Sequence, residues 1–249
     1  MKTTKLLFIA IGLLSANNSS AHYEDSPYVY CHNNPVNAID PDGNDAVLIV
    51  FPDYSINLHH DPEVNINFVG HAGVLLIDNK SGATSYYEYG RYQTSDNTSG
   101  RVRTIPVPKV TIGSNGRPTT ESLNKVFGVL SKKAGQSGRI DGAYIISNEY
   151  AKMNSYAKSK FNENNSYKGN KSYNKNREPY SLFSNNCGTF AADVINQDES
   201  VDQPWIVNPA PVNIVDEYQE EGNAQVTYNP NTNTTVIGKG DEKDAKIHK

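Results

Sequence analysis

Two side chains far apart in this sequence have the chemistry of a thiol hydrolase. Cys187 stands in Ser184-Asn185-Asn186-Cys187-Gly188-Thr189-Phe190, a polar turn that runs into an apolar-striped segment. His71 stands in Gly70-His71-Ala72-Gly73-Val74-Leu75-Leu76-Ile77, at the mouth of a short apolar run. A thiolate attacks carbonyl carbon readily, and an imidazole takes and returns the proton that such a reaction moves. A third polar group must fix the ring, and Glu88 is the candidate for that position.

These residues need particular elements to bring them together. Cys187, Phe190, Ala191, Val194 and Ile195 fall on one face at helical spacing, so the cysteine opens a helix. Unpaired N–H groups and the positive end of the dipole then favour its thiolate. The same N–H groups, above all that of Cys187, suit a developing oxyanion, with Gly188 and Asn186 as oxyanion and support residues. Gly188 also removes bulk beside the sulfur. Upstream, 66–77 reads as strand, Asn79-Lys80-Ser81-Gly82 as a hairpin turn, and Thr84 to Gly90 as an aromatic return strand. Antiparallel pairing sets His71 near residues 88–91, which is why Glu88 is chosen to orient the imidazole.

The remaining pattern frames a domain over 45–220. Ala46 to Phe51 is a short buried strand ended by Pro52, and 101–110 is an edge strand because of Pro106 and Pro108. Pro118-Thr119-Thr120-Glu121 starts a helix whose Leu123, Val126, Phe127 and Leu130 form a core stripe. Gly142 to Ile146 fits a buried strand or a helix start, and 150–161 has a weaker helical period. The Asn, Lys, Ser and Tyr composition of 162–178 reads as a flexible insertion, a lid or a plain solvated loop. Pro204-Trp205 and Pro209-Ala210-Pro211 read as a packed strap, 212–218 as a short helix, and 221–249 as a polar tail carrying a hairpin.

With 249 residues, 37% of them hydrophobic, there is material for one sizeable core. A net charge of −4 argues against a nucleic-acid partner. Residues 1–21 have the layout of a secretory signal peptide: Lys2 and Lys5, an apolar run too short to span a bilayer, then Ser19-Ser20-Ala21. A secreted or periplasmic protein with no stable membrane span after cleavage follows. Cys31 and Cys187 are the two cysteines, and a disulfide between them is the alternative to a free nucleophile. His59 and His60, near Asp61 and Glu63, lack a further soft ligand and read as surface residues. No metal or cofactor is called for.

Residues 28–44, with Tyr28-Val29-Tyr30, Asn33-Asn34-Pro35-Val36-Asn37 and Asp40-Pro41-Asp42-Gly43, closely resemble the core border of RHS-repeat proteins. That resemblance places 22–44 as a border remnant and whatever follows in the position of a C-terminal effector, often a toxin, with room for a cognate immunity protein as partner. Self-cleavage is not carried over to Asp40 and Asp42, because the chain has no RHS shell. Gly70-His71-Ala72-Gly73-Val74 followed much later by Asn186-Cys187-Gly188-Thr189-Phe190 resembles the circularly permuted papain-like domains of the NlpC/P60 and LRAT-like group. The fold implied is α+β, an antiparallel sheet packed against helices. The activity implied is a cysteine peptidase or amidase with Cys187 as nucleophile, His71 as base and a polar third residue, acting on a peptide or cell-wall substrate. An LRAT-like acyltransferase or phospholipase, and a non-catalytic secreted interaction module, are the alternatives.

Overall fold

In a computed structural model the described residues are 44–58, 64–66, 70–92, 99–165 and 177–238. The signal-like segment, the border motif up to Gly43, Cys31, and the loop carrying His59, His60, Asp61 and Glu63 lie outside them.

One antiparallel sheet organises the chain. Its strands are β1 (Asn44–Phe51), β4 (His71–Asp78), β5 (Ala83–Gly90), β6 (Arg101–Thr104), β7 (Ile140–Ser147), β8 (Ala224–Asn229) and β9 (Thr234–Ile237), in the spatial order β6-β5-β4-β1-β7-β8-β9. A separate short pair is made by β2 (Ile56–Leu58) and β3 (Val64–Ile66). Among the described residues four helices, α1 (Thr120–Lys133), α2 (Tyr150–Asn165), α3 (Cys187–Ile195) and α4 (Pro211–Glu220), cover both faces. On one face Val47, Ile49, Phe51, Leu75 and Ile77 meet Leu123, Val126, Phe127 and Leu130 of α1. On the other Leu48, Val50, Val74 and Leu76 meet α2, α3 and α4. Burial on both sides explains why the central strands β1 and β4 are apolar at nearly every position, where a sheet wetted on one side would alternate.

The hairpin predicted around residues 79–82 forms, with Asp78 accepting from the N–H groups of Ser81 and Gly82. Its register, Gly73 opposite Glu88 and Leu75 opposite Tyr86, fixes the site described below. Residues 142–146 resolve as strand β7, wedged between β1 and β8.

Three stretches differ from the sequence reading. The segment 162–178, expected as a flexible insertion, begins inside α2, which continues to Asn165. Asn164 is only 3% exposed because its Oδ1 accepts from Val102 N–H at 2.9 Å, while Asn165 Nδ2 donates to Val102 carbonyl oxygen at 3.0 Å. Two polar residues therefore close the free edge of β6, work that composition alone reads as loop. The hairpin in the polar tail is β8–β9, and it joins the sheet through β7, so the packed unit runs past residue 220. In the expected strap Trp205 points outward at 84% exposure, and its neighbour Ile206 packs on the core instead.

Candidate active site

Three side chains singled out in the sequence, Cys187, His71 and Glu88, meet at one end of the sheet. His71 is the first residue of β4, so its ring lies where the sheet ends and α3 begins. Its Nε2 hydrogen-bonds Glu88 Oε2 at 3.0 Å, which leaves Nδ1 as the ring nitrogen open to the Cys187 sulfur, whose charge acts on the imidazole. Gly73 makes the link between ring and carboxylate open. A Cβ there would sit 2.3 Å from the Tyr86 hydroxyl, and that hydroxyl donates to Glu88 Oε2 at 2.7 Å.

Glu88 is fully buried and is answered by several donors. Besides His71 and Tyr86, Arg103 Nε donates to its other oxygen from the directly opposite position on β6. The Arg103 guanidinium lies 4.0 Å from the centroid of the Tyr92 ring, and Tyr92 brings its hydroxyl to 2.9 Å from His71 Nε2. Phe51 stacks near the imidazole and Tyr54 tilts against it. The ring is thus held at Nε2 by polar groups and on its faces by aromatics.

The electrostatics favour an ion pair. Burial alone pushes the His71 pKa down, but the facing Cys187 thiolate and Glu88 overcome it and raise the imidazole to about 10. Burial pushes the Cys187 thiol up, yet the His71 charge, the Ala72 backbone N–H and the Tyr180 hydroxyl bring it below its ordinary value. Burial likewise opposes ionisation of Glu88, and His71, Arg103 and Tyr86 hold its carboxyl down at about 2. A thiolate facing an imidazolium braced by a carboxylate follows.

Local structure also fixes the position of Cys187. Asn186 caps α3: its Oδ1 accepts from Gly188 N–H at 2.8 Å and Thr189 N–H at 3.1 Å, and the Thr189 hydroxyl answers the Asn186 N–H. Its Nδ2 donates to Leu182 O at 3.0 Å and Pro209 O at 2.9 Å. Asn186 and Gly188, expected as oxyanion and support residues, spend these donors on the cap and on Leu182 O and Pro209 O. Gly188 is small for packing: a Cβ would meet Ile214 Cδ1 at 2.8 Å and Pro211 Cα at 3.1 Å. The Cys187 N–H instead faces the Tyr180 hydroxyl, which lies 4.0 Å from Sγ.

Tyr92, Arg103, Tyr86 and Tyr180 were not found by sequence reasoning. Tyr86 was accessible in principle, two positions from Glu88 on the same strand, whereas Arg103 sits opposite Glu88 only through a β5–β6 register that the connection between those strands does not dictate. Tyr92 and Tyr180 lie beyond strand ends, where no periodicity reports direction. Cys187 is a free buried thiol, and its alternative disulfide partner Cys31 lies outside the described residues. Among the described residues, no cluster of His, Cys, Asp and Glu is arranged to hold a metal ion, and no helix is long and apolar enough to cross a membrane.

The sequence profile of a family described as type VI secretion system effector TseH-like matches residues 46–202. The crystal structure of the type VI secretion system effector TseH superposes with a TM-score of 0.65 at 32% identity, covering 80% of this chain and all of that one. No curated protein sequence matches the chain. The architecture is the permuted papain-like, NlpC/P60-like arrangement: histidine strand first, cysteine helix later, antiparallel sheet between helices.

Proposed function

The chain belongs to the type VI secretion system effector TseH-like family, a family of secreted bacterial effectors, and from that premise we propose that it is a cysteine peptidase or amidase acting on cell-wall peptides. The observation that carries the reading is the buried relay Cys187, His71, Glu88, in which the thiol is lowered and the imidazole raised. Cys187 Sγ attacks the carbonyl carbon, and the C=O electron pair moves onto oxygen. The Cys187 N–H, which in the free protein is directed at the Tyr180 hydroxyl, is the donor that turns to that oxygen. The His71 imidazolium gives its proton to the leaving amine as the C–N bond breaks, then takes one from the water that releases the acyl group. Glu88 keeps the ring in place through both transfers. The RHS-type border read at 28–44 and the signal-like residues 1–21 fit an exported effector module, for which a cognate immunity protein is the natural partner.

Lipid deacylation by the same residues is the second reading. It is favoured by Phe183, 85% exposed in the turn that leads to Cys187. Alkylation of the wild-type thiol by iodoacetamide at neutral pH, followed by digestion of purified sacculi with wild type and Cys187→Ala, separates the cases. New amine and carboxyl ends in the wild-type digest alone support the peptidase. Fatty acid released from phospholipid, with no new ends from sacculi, moves the assignment to lipid. A thiol that resists alkylation returns the protein to a non-catalytic interaction module.

A further inference from the structure

The end of the sheet that carries His71 also carries unanswered positive charge. Gly90 pairs with Arg101 in the β5–β6 register, and continuing the β4–β5 register by two residues brings His71 opposite Gly90. Beyond β6, Ser99 bridges Pro179 antiparallel and Gly100 N–H donates to Glu178 O at 2.9 Å, which sets Arg101 opposite Arg177. Asn164 ties the two together, accepting from Val102 N–H on its side chain and from Arg177 Nε at 3.2 Å on its carbonyl. A row therefore crosses the sheet end: His71, Gly90, Arg101, Arg177. The Tyr92 ring lies over Gly90, where a Cβ would approach it to 2.9 Å.

Like charges set opposite each other on paired segments are destabilising, and a chain of net charge −4 has carboxylates to spare for neutralising them. None of the described carboxylates does so. Glu88 is taken by Arg103, and Glu178 by Lys160 at 2.9 Å. Arg177 Nε is spent on a neutral carbonyl, and Arg101 Nε is buried with no hydrogen-bond partner among the described residues. Burial, then Arg177 and Arg103, lower the Arg101 pKa, the mark of a desolvated cation among cations. Buried polar atoms are ordinarily satisfied, so an orphaned guanidinium nitrogen beside a second arginine fits a missing acceptor.

We propose that Arg101 and Arg177 form a subsite for a carboxylate of the substrate, so that the enzyme selects acidic peptides. This rests on the hydrolase reading and adds its substrate class. Strands lie about 4.8 Å apart, which puts Arg101 about 10 Å from His71 along the row, roughly three residues of extended peptide. The carboxylate selected is therefore two or three residues from the scissile bond.

The test uses the full chain carrying Cys187→Ala, with fluorescein-labelled tetraglutamate and tetraglutamine as probes and anisotropy as readout. Tetraglutamate is expected to bind at least tenfold more tightly. Adding Arg101→Met or Arg177→Met is expected to abolish that preference, while Arg139→Met, at an exposed arginine paired with Asp53, leaves it. Arg101→Met is also expected to raise the thermal midpoint by relieving repulsion, so lost binding with raised stability separates a ligand site from a structural role. Equal binding of the two peptides, or a preference that survives Arg101→Met, overturns the proposal. Displacement of tetraglutamate by equimolar inorganic phosphate overturns the carboxylate assignment in favour of phosphate. Failure of the hydrolase reading is seen separately, as an iodoacetamide-resistant Cys187 in the wild type.

Discussion

Replacing Glu88 by glutamine tests the electrostatic account most directly. The carboxyl accepts from His71 Nε2, the Tyr86 hydroxyl and Arg103 Nε, whereas an amide offers one acceptor and turns its own donors toward other donors. In the fold its pKa is lowered from an ordinary 4.5 to about 2. At about 1.4 kcal/mol per factor of ten in proton affinity, the ionised form is worth about 3 kcal/mol at neutral pH. Because the folded value is the depressed one, that stability is present above about pH 4.5 and drains away as pH falls toward 2. Urea unfolding should show Glu88→Gln less stable by about 3 kcal/mol at pH 7, with the gap shrinking to about half by pH 3. The same variant should move the alkaline limb of Cys187 alkylation to lower pH than in the wild type, since a support that raises the His71 imidazolium is gone. A variant within 1 kcal/mol of wild type at pH 7, or a gap that does not change with pH, would refute the reasoning.

Asn186→Asp should keep the α3 cap, lose the donors to Leu182 O and Pro209 O, and place a negative charge near the thiolate. The acid limb of alkylation should therefore move upward, as rates measured across pH 4 to 8 will show; an unmoved limb counts against a charge-tuned thiol. Gly73→Ala should push the Tyr86 hydroxyl off Glu88 and cost about 1–3 kcal/mol in urea unfolding, with no loss of stability meaning that the close contact is slack. Tyr180→Phe should slow alkylation at pH 6, because the hydroxyl helps hold the thiol low, and an unchanged rate would remove Tyr180 from the site.

The parts of the site that could be read from sequence are those fixed by short-range rules. A four-residue turn with Gly82 set the β4–β5 hairpin, and counting equally from it puts His71 opposite Gly90 and so diagonal to Glu88. The spacing of Cys187, Phe190, Ala191, Val194 and Ile195 set the start and face of α3. Arg103 was out of reach because β5 and β6 are joined by a long connection whose length does not dictate register. The Asn186 amide looked like a free donor because nothing in its neighbourhood announces that the carbonyl of Pro209, far along the chain, will accept its hydrogen bond. Asn164 misled for the opposite reason: a residue common in loops was serving the edge of a strand.

The hairpin and the cysteine helix differ in how early they can exist. His71 and Glu88 are 17 residues apart on adjacent strands joined by a tight turn, so their contact closes a small loop. Cys187 meets them through the β1–β7 pairing and the docking of α2 and α3, contacts of long sequence separation that are expected to form more slowly. A newly made or refolding chain should thus bring His71 and Glu88 together before Cys187 joins them, so that the low thiol pKa is acquired last. On refolding from urea, iodoacetamide sensitivity at low pH should appear with the slowest phase, and its appearance in an early phase would contradict this order.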